Sequence, residues 1–156
     1  MRITSKGRYA VTAMLDIAIH QADGMVSVKE IARRQNISEP YLEQLLGSLR
    51  KSGMLLSRRG PGGGYALTDS PSNIGVSSVL EAVGEGVDVT RCAGSGDCNN
   101  GHMCLTHNLW ASLSHQIDDF LSRVTLDELF AKKNEAVGEG VFDQLDRTLI
   151  QVNRLA

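Results

Sequence analysis

Residues 38–67 read SEPYLEQLLGSLRKSGMLLSRRGPGGGYAL. Leu42, Leu45, Leu46 and Leu49 stand at i, i+3, i+4 and i+7, the apolar stripe of one helix face. Pro40 sits in the first turn, where a missing N–H costs nothing, so this helix starts at Ser38. Tyr41, Glu43, Gln44, Ser48 and Lys51 fall on the opposite face. The chain then runs as a strand through Gly53–Arg59, turns on Gly60-Pro61-Gly62-Gly63-Gly64 and returns through Tyr65–Thr68, a hairpin directly behind the helix.

Just upstream, Ser27 and Glu30 form the capping box S-x-x-E, in which each side chain satisfies an orphan backbone donor. Val28, Ile31 and Ala32 form the stripe of the helix it opens, which ends near Gln35-Asn36. Two or three residues then lead into the Ser38 helix. Two short helices joined so closely outline a helix-turn-helix, and the hairpin behind them makes it a winged helix. An earlier helix runs from about Lys6 to His20, capped by Thr4 or Ser5, with Ala10, Ala13, Met14, Ile17 and Ala18 inward. Downstream, Val76–Val83 reads as a short helix and about Leu105–Val124 as a long one. In the long helix Trp110, Leu113, Ile117, Phe120 and Val124 step 3-4-3-4, an a/d seam that wants the same helix of a second subunit. Val141, Leu145, Leu149 and Val152 fit a short amphipathic helix beyond Gly138 and Gly140. The predicted chain is mainly α with a small β-hairpin wing. It comprises a winged helix-turn-helix DNA-binding domain over residues 1–84, a metal-binding loop over 85–104, a dimerisation helix over 105–130 and a C-terminal tail over 131–156.

The 156-residue chain carries a net charge of −2, which alone argues against nucleic acid. The distribution reverses that. Residues 1–60 hold ten Lys+Arg against five Asp+Glu, net +5, and residues 61–156 hold six against thirteen, net −7. The basic half is the winged helix, where a phosphate backbone can bind. No cleavable apolar run follows the first residues and no stretch approaches a membrane span, so a cytoplasmic protein with reduced thiols and no membrane partner is expected.

DNA reading needs a helix whose first outward side chains reach base edges. Ser38, Glu39, Pro40, Tyr41, Glu43 and Gln44 occupy those places. Gln44 suits adenine N6 and N7. Glu43 suits cytosine N4 and repels phosphate where that cytosine is absent. Arg58, Arg59 and Gly60 at the wing tip suit a narrow, electronegative minor groove. Thr4, Ser5, Lys6, Arg8 and Tyr9 at the first helix start suit a phosphate. The wing glycines lack the strand–glycine–helix order and Lys-Ser/Thr of a nucleotide loop. No paired carboxylates or nucleophile–base spacing supports an enzyme.

All three cysteines lie in RCAGSGDCNNGHMCLTH, residues 91–107. Cys92, Cys98, Cys104 and His107 make a complete first shell for a metal centre. Gly94, Gly96 and Gly101 let the loop wrap a compact object. Cys104 and His107 are expected three residues apart on one helix face, which ranks His107 above His102 and His115 as fourth ligand. A structural zinc site fits the donors but lacks paired C-x2–4-C spacing; an iron–sulfur cluster fits the longer gaps; a thiol redox switch needs only one or two of the cysteines. Spacing leaves cluster and zinc both open.

The segments MRITSKGRYAVTAMLDIA, PYLEQLLGSLRKSG, RRGPGGGYAL and the cysteine loop with its CLTHNLW continuation resemble, in order and spacing, the winged-helix transcriptional repressor family of the iron–sulfur cluster regulators. The resemblance covers residues 1 to about 130. It implies a homodimer with crossed long helices, two winged helices on a double-stranded, pseudo-palindromic operator, and a 2Fe-2S cluster on Cys92, Cys98, Cys104 and His107, with zinc or a 4Fe-4S cluster as alternatives. The family's other sensors, nitric oxide sensors among them, share the cysteines but not this histidine placement. The implied loaded form represses the cluster-assembly genes, with the assembly machinery as cluster donor. A zinc-stabilised or thiol-redox regulator of the same family, or a redox or cluster-carrier protein, are the rival readings.

Overall fold

The computed structural model describes residues 4–134. The amphipathic segment expected around Val141–Val152 lies outside them.

Helix α1, Ser5–His20, is capped by Thr4, whose side chain accepts the Lys6 N–H. Helix α2, Val28–Gln35, opens on the Ser27–Glu30 capping box with both reciprocal bonds present. It closes on Asn36 at φ 53°, a left-handed cap that the short Asn side chain tolerates. Helix α3, Glu39–Lys51, buries Leu42, Leu45, Leu46 and Leu49, each worth about 2 kcal/mol over exposure. Strands β1, Leu55–Arg58, and β2, Gly64–Leu67, pair antiparallel with Leu55 opposite Leu67 and Arg58 opposite Gly64.

The wing is stitched to the residues before α2. Val26 and Tyr65 exchange both backbone bonds, at 2.9 and 2.8 Å. A Cβ on Gly64 would meet the Val26 carbonyl oxygen at 2.5 Å, so only glycine allows that approach. Gln21 Oε1 accepts the Leu67 N–H at 3.0 Å and ties the second strand to the end of α1. The mainly helical architecture with a two-stranded wing is the one the sequence predicts.

Helix α4, Val76–Ala82, and helix α5, His107–Arg123, follow. The long helix expected over about Leu105–Val124 is α5, and the wider 105–130 span takes in a second helix as well. Val124 leaves helical geometry at ψ 107°. Val76 N–H donates to Val124 O at 2.9 Å and Leu126 N–H to Ile74 O at 3.0 Å. Helix α6, Leu126–Asn134, then turns back against α1, with Leu126 fully buried in the winged-helix core. The seam read from the sequence ends at Val124, where α5 ends; the backbone bonds to Ile74 and Val76 turn the chain there, and Thr125 Oγ1, accepting the Glu128 N–H, caps α6.

One core residue is a carboxylate. Asp16 of α1 is 1% exposed. It accepts from Arg34 Nη2 at 2.6 Å and Nε at 3.0 Å, and from Gln35 Nε2 at 2.6 Å. Burial pushes its pKa up, but the bonds from Arg34 and Gln35 and the charges of Arg34 and His20 outweigh that, leaving it below its ordinary value. The pair fixes the far end of α2 on α1, and so the turn into α3.

Candidate metal centre and DNA-reading surface

Between α4 and α5 the chain forms a loop of turns. Gly94, Gly96 and Gly101 all take φ near +80°, a conformation that side chains with a Cβ rarely adopt. Val89 N–H donates to Ser114 Oγ on α5 at 3.0 Å, Thr90 N–H to Asp88 Oδ1 at 2.6 Å and Gly94 N–H to Thr90 Oγ1 at 2.7 Å. The first of these lays the loop along α5, and the other two fix the shape of the loop itself.

The loop brings three donors together. The ligand atoms of Cys92, Cys98 and His107 all lie within 4.8 Å of one another. His107 Nδ1 is 3.4 Å from Cys92 Sγ and 3.7 Å from Cys98 Sγ, and its side chain is buried. Cys104 falls outside that trio. It stands against Cys98, whose Sγ accepts the Cys104 N–H at 3.2 Å. Cys104 also lies before α5 rather than in it. A single turn, His107 N–H to Cys104 O at 3.1 Å, sets their spacing, so the shared helix face expected for them is not the reason they are near. His102 is exposed in a bridge with Asn99, and His115 is exposed further along α5; neither joins the trio.

The thiols are unequal. Burial raises the Cys92 pKa, but hydrogen bonds from the Gly96 backbone, Thr90, Cys98 and His107 bring it down to about 7. Cys98 is pushed up because it holds its proton toward Cys104, and Cys104 is lowered by receiving bonds from Cys98 and Thr106. A thiol near 7 is about half thiolate at neutral pH, the form that binds metal. Three thiolates and a neutral imidazole suit iron or zinc.

On the other face, Ser38, Glu39, Pro40, Glu43 and Gln44 are all exposed at the start of α3. Tyr41 turns partly inward, and its ring meets Tyr9 edge-on with centroids 5.9 Å apart. That contact brings the starts of α1 and α3 side by side. Thr4, Ser5 and Arg8 are exposed there. Lys6 leans instead toward the end of α4, its Nζ 3.8 Å from where a Cβ on Gly84 would stand. Arg58 folds back to donate to Gly62 O at 3.0 Å, bracing the wing turn, while Arg59 and Gly60 stand exposed at the tip. Along α5, Trp110, Leu113 and Phe120 are each about 40% exposed, and Ile117 and Val124 are half-buried. Leu109, which the sequence reading left off the seam, is 61% exposed beside them.

The model of the family described as "Rrf2: Iron-dependent Transcriptional regulator" matches residues 3–132. The chain belongs to the Rrf2 family. Among its relatives, "HTH-type transcriptional regulator IscR" of Pectobacterium carotovorum subsp. carotovorum (strain PC1) is 52% identical over 156 residues, all of this chain and 92% of that one. "Putative HTH-type transcriptional regulator ORF2" of Azotobacter vinelandii is 54% identical, covering 86% of this chain and 82% of that one. Of solved structures, T. potens IscR aligns with a TM-score of 0.71 at 32% identity, over 91% of this chain and 96% of that one. CymR (YrzC), titled the global cysteine regulator of B. subtilis, aligns at 0.73 and 30% identity, over 85% and 98%. This Rrf2 protein is a winged-helix, DNA-binding transcriptional regulator and not an enzyme. Among the described residues, no helix of this Rrf2 regulator is long and apolar enough to cross a membrane.

The sequence reading missed the residues that hold the site in place. Ser114 fixes the loop to α5, Asp88 and Thr90 fix the shape of the loop, and Asp16, Arg34 and Gln35 fix α2 to α1. For Asp16 a signal was present: it follows Ala13 by three residues, along the edge of the apolar stripe of α1, where an acid needs a partner.

Proposed function

We propose that this regulator senses iron–sulfur status. Cys92, Cys98, Cys104 and His107 hold a 2Fe-2S cluster, α5 pairs with α5 of a second copy, and the two α3 helices and wings read a pseudo-palindromic operator of cluster-assembly genes in the cytoplasm. The loaded form represses those genes, and the assembly machinery supplies the cluster.

The convergence of Cys92, Cys98 and His107 in a glycine-rich loop, with Cys104 bonded to Cys98 just outside the trio, carries the reading. A single tetrahedral zinc ion wants all four donors around one point, with edges of roughly 3.5–3.8 Å. A two-iron cluster would share the four residues two and two between its metals, so its donors need not surround one point. When bound, the cluster supplies redox and oxygen sensitivity, and its imidazole ligand makes the centre less negative than an all-thiolate one. The exposed Trp110, Leu113 and Phe120 on α5 favour a second copy as their cover.

On this reading the route from centre to DNA runs through α5. The loop between Thr90 and Cys104 leads straight into α5. Ser114 couples its first part to α5 through Val89, and at the far end of α5 Val124 O accepts the Val76 N–H of the reading domain, with Ile74 O holding Leu126 just beyond. A loop released from its donors changes the tilt of α5 and with it the separation of the two α3 helices. Half-sites about 34 Å apart make small rotations count.

The test is anaerobic purification followed by an absorption spectrum and iron, sulfide and zinc analysis. Brown protein with equal iron and inorganic sulfide is expected, with colour lost on replacing Cys92, Cys98 or Cys104 by Ala. Colourless protein with one zinc per chain overturns the cluster reading and leaves the winged-helix regulator standing. Colour that survives any one of the three changes overturns the ligand set.

A further inference from the structure

Thr106 does not do what its position calls for. It is the N-cap residue of α5, where a threonine oxygen ordinarily accepts from the N–H two or three residues on. Its side chain makes no such bond. The hydroxyl instead accepts from Trp110 Nε1 at 3.1 Å and lies 3.8 Å from Cys104 Sγ.

The polarity of this chain of contacts follows from chemistry. An indole N–H only donates, so the threonine oxygen accepts there. The hydroxyl keeps one proton, and a metal-binding Cys104 thiolate only accepts. The bonds therefore run Trp110 to Thr106 to Cys104, each polarising the next. Trp110 is the chain's one tryptophan and sits 41% exposed on the face of α5.

We propose that Thr106 is a positioning residue linking the Cys104 sulfur to the Trp110 indole, so that the state of the metal centre sets the orientation of a side chain on the α5 face. This rests on Cys104 being a ligand, as in the reading above. It adds a direct path from centre to α5 surface that needs no rearrangement of the loop. It also explains a forgone helix cap: the hydroxyl orients a ligand instead.

Two substitutions separate this role from packing. Thr106→Val keeps the shape and removes the hydroxyl; Thr106→Ser keeps the hydroxyl and removes the methyl. The full chain is purified anaerobically, and bleaching of its visible absorption by a chelator is timed. The indole N–H proton resonance is recorded on the apo chain. Outer partners of metal ligands are worth roughly ten- to a hundredfold in metal retention. Thr106→Val is thus expected to bleach at least about tenfold faster and to move the indole resonance. Thr106→Ser is expected to match the unaltered chain in both. Trp110→Phe is expected to speed bleaching, and to add nothing when combined with Thr106→Val. A Thr106→Val chain that bleaches at the unaltered rate overturns the proposal, as does Thr106→Ser behaving like Thr106→Val. A colourless unaltered chain overturns the cluster reading itself, a result distinct from either.

Discussion

Replacing Asp16 by Ala is expected to destabilise the reading domain more than any surface change. Arg34 Nη2, Arg34 Nε (shared between both oxygens) and Gln35 Nε2 all donate to this carboxylate, at 2.6 to 3.2 Å. Hydrogen bonds to charged groups contribute about 1.5–3 kcal/mol each. Their sum overshoots, because holding a fully enclosed carboxylate out of water opposes it. The Arg34 side chain is 21% exposed and can recover some hydration once its partner is gone. The expected loss is therefore about 3 kcal/mol, the low end for breaking a buried pair. With a urea slope of about 1.5 kcal/mol/M, the midpoint falls by about 2 M. The assay is urea unfolding of the apo chain followed by far-ultraviolet circular dichroism, at one fixed protein concentration so that any self-association contributes equally to both chains. A midpoint within about 0.3 M of the unaltered chain, under 0.5 kcal/mol on that slope, refutes the reasoning. The pH dependence gives a second reading. A carboxylate whose folded pKa lies below its ordinary 3.8 stabilises the fold above that value and loses the contribution as pH falls through the folded value. Asp16→Asn is thus expected to lower stability at neutral pH and to flatten the acid limb below about pH 4.

Three further outcomes are expected. Glu43→Ala relaxes discrimination at its base position by about 1–3 kcal/mol, roughly five- to 150-fold, in fluorescence anisotropy against operator variants; an unchanged ratio of affinities removes Glu43 from the readout. Leu126→Ala costs about 2–5 kcal/mol, because its side chain is fully enclosed in a core built largely by residues before position 84; an unaltered urea midpoint would place α6 elsewhere. Gly64→Ala costs about 1–3 kcal/mol by driving a methyl into the Val26 carbonyl, seen as a lower melting temperature and faster exchange at the Tyr65 amide, and intact protection there contradicts the bridge.

The fold was legible where one signal was repeated. The leucines of α3, the Ser27–Glu30 box and the glycine turn of the wing each agree with the elements beside them. The convergence of Cys92, Cys98 and His107 was legible because all three cysteines lie within one short loop that runs up to His107. What stayed hidden depends on contacts distant in sequence. Nothing near Asp16 announces Arg34, eighteen residues on. The return of the chain after Val124 onto α1 rests on backbone bonds with Ile74 and Val76, some fifty residues earlier. The inward turn of Tyr41 comes from Tyr9 on another helix.

Helix α5 is tethered at both ends. Its N-terminal end emerges from the cysteine loop, and its C-terminal end is strapped by the Val76 and Leu126 amides to the segment between wing and α4. A rod pinned at one end and pushed at the other pivots rather than slides. The pivot lies where Gly75 faces Ser122, so close that a Cβ on Gly75 would meet the Ser122 carbonyl at 2.7 Å. On the proposed function, movement at the cysteines would reach the reading domain as an angle, with the loop as the long arm and the Gly75–Ser122 contact as the fulcrum. The reading domain, in turn, is not a detachable module: a chain cut after residue 84 loses the fulcrum's strap and the Leu126 plug together.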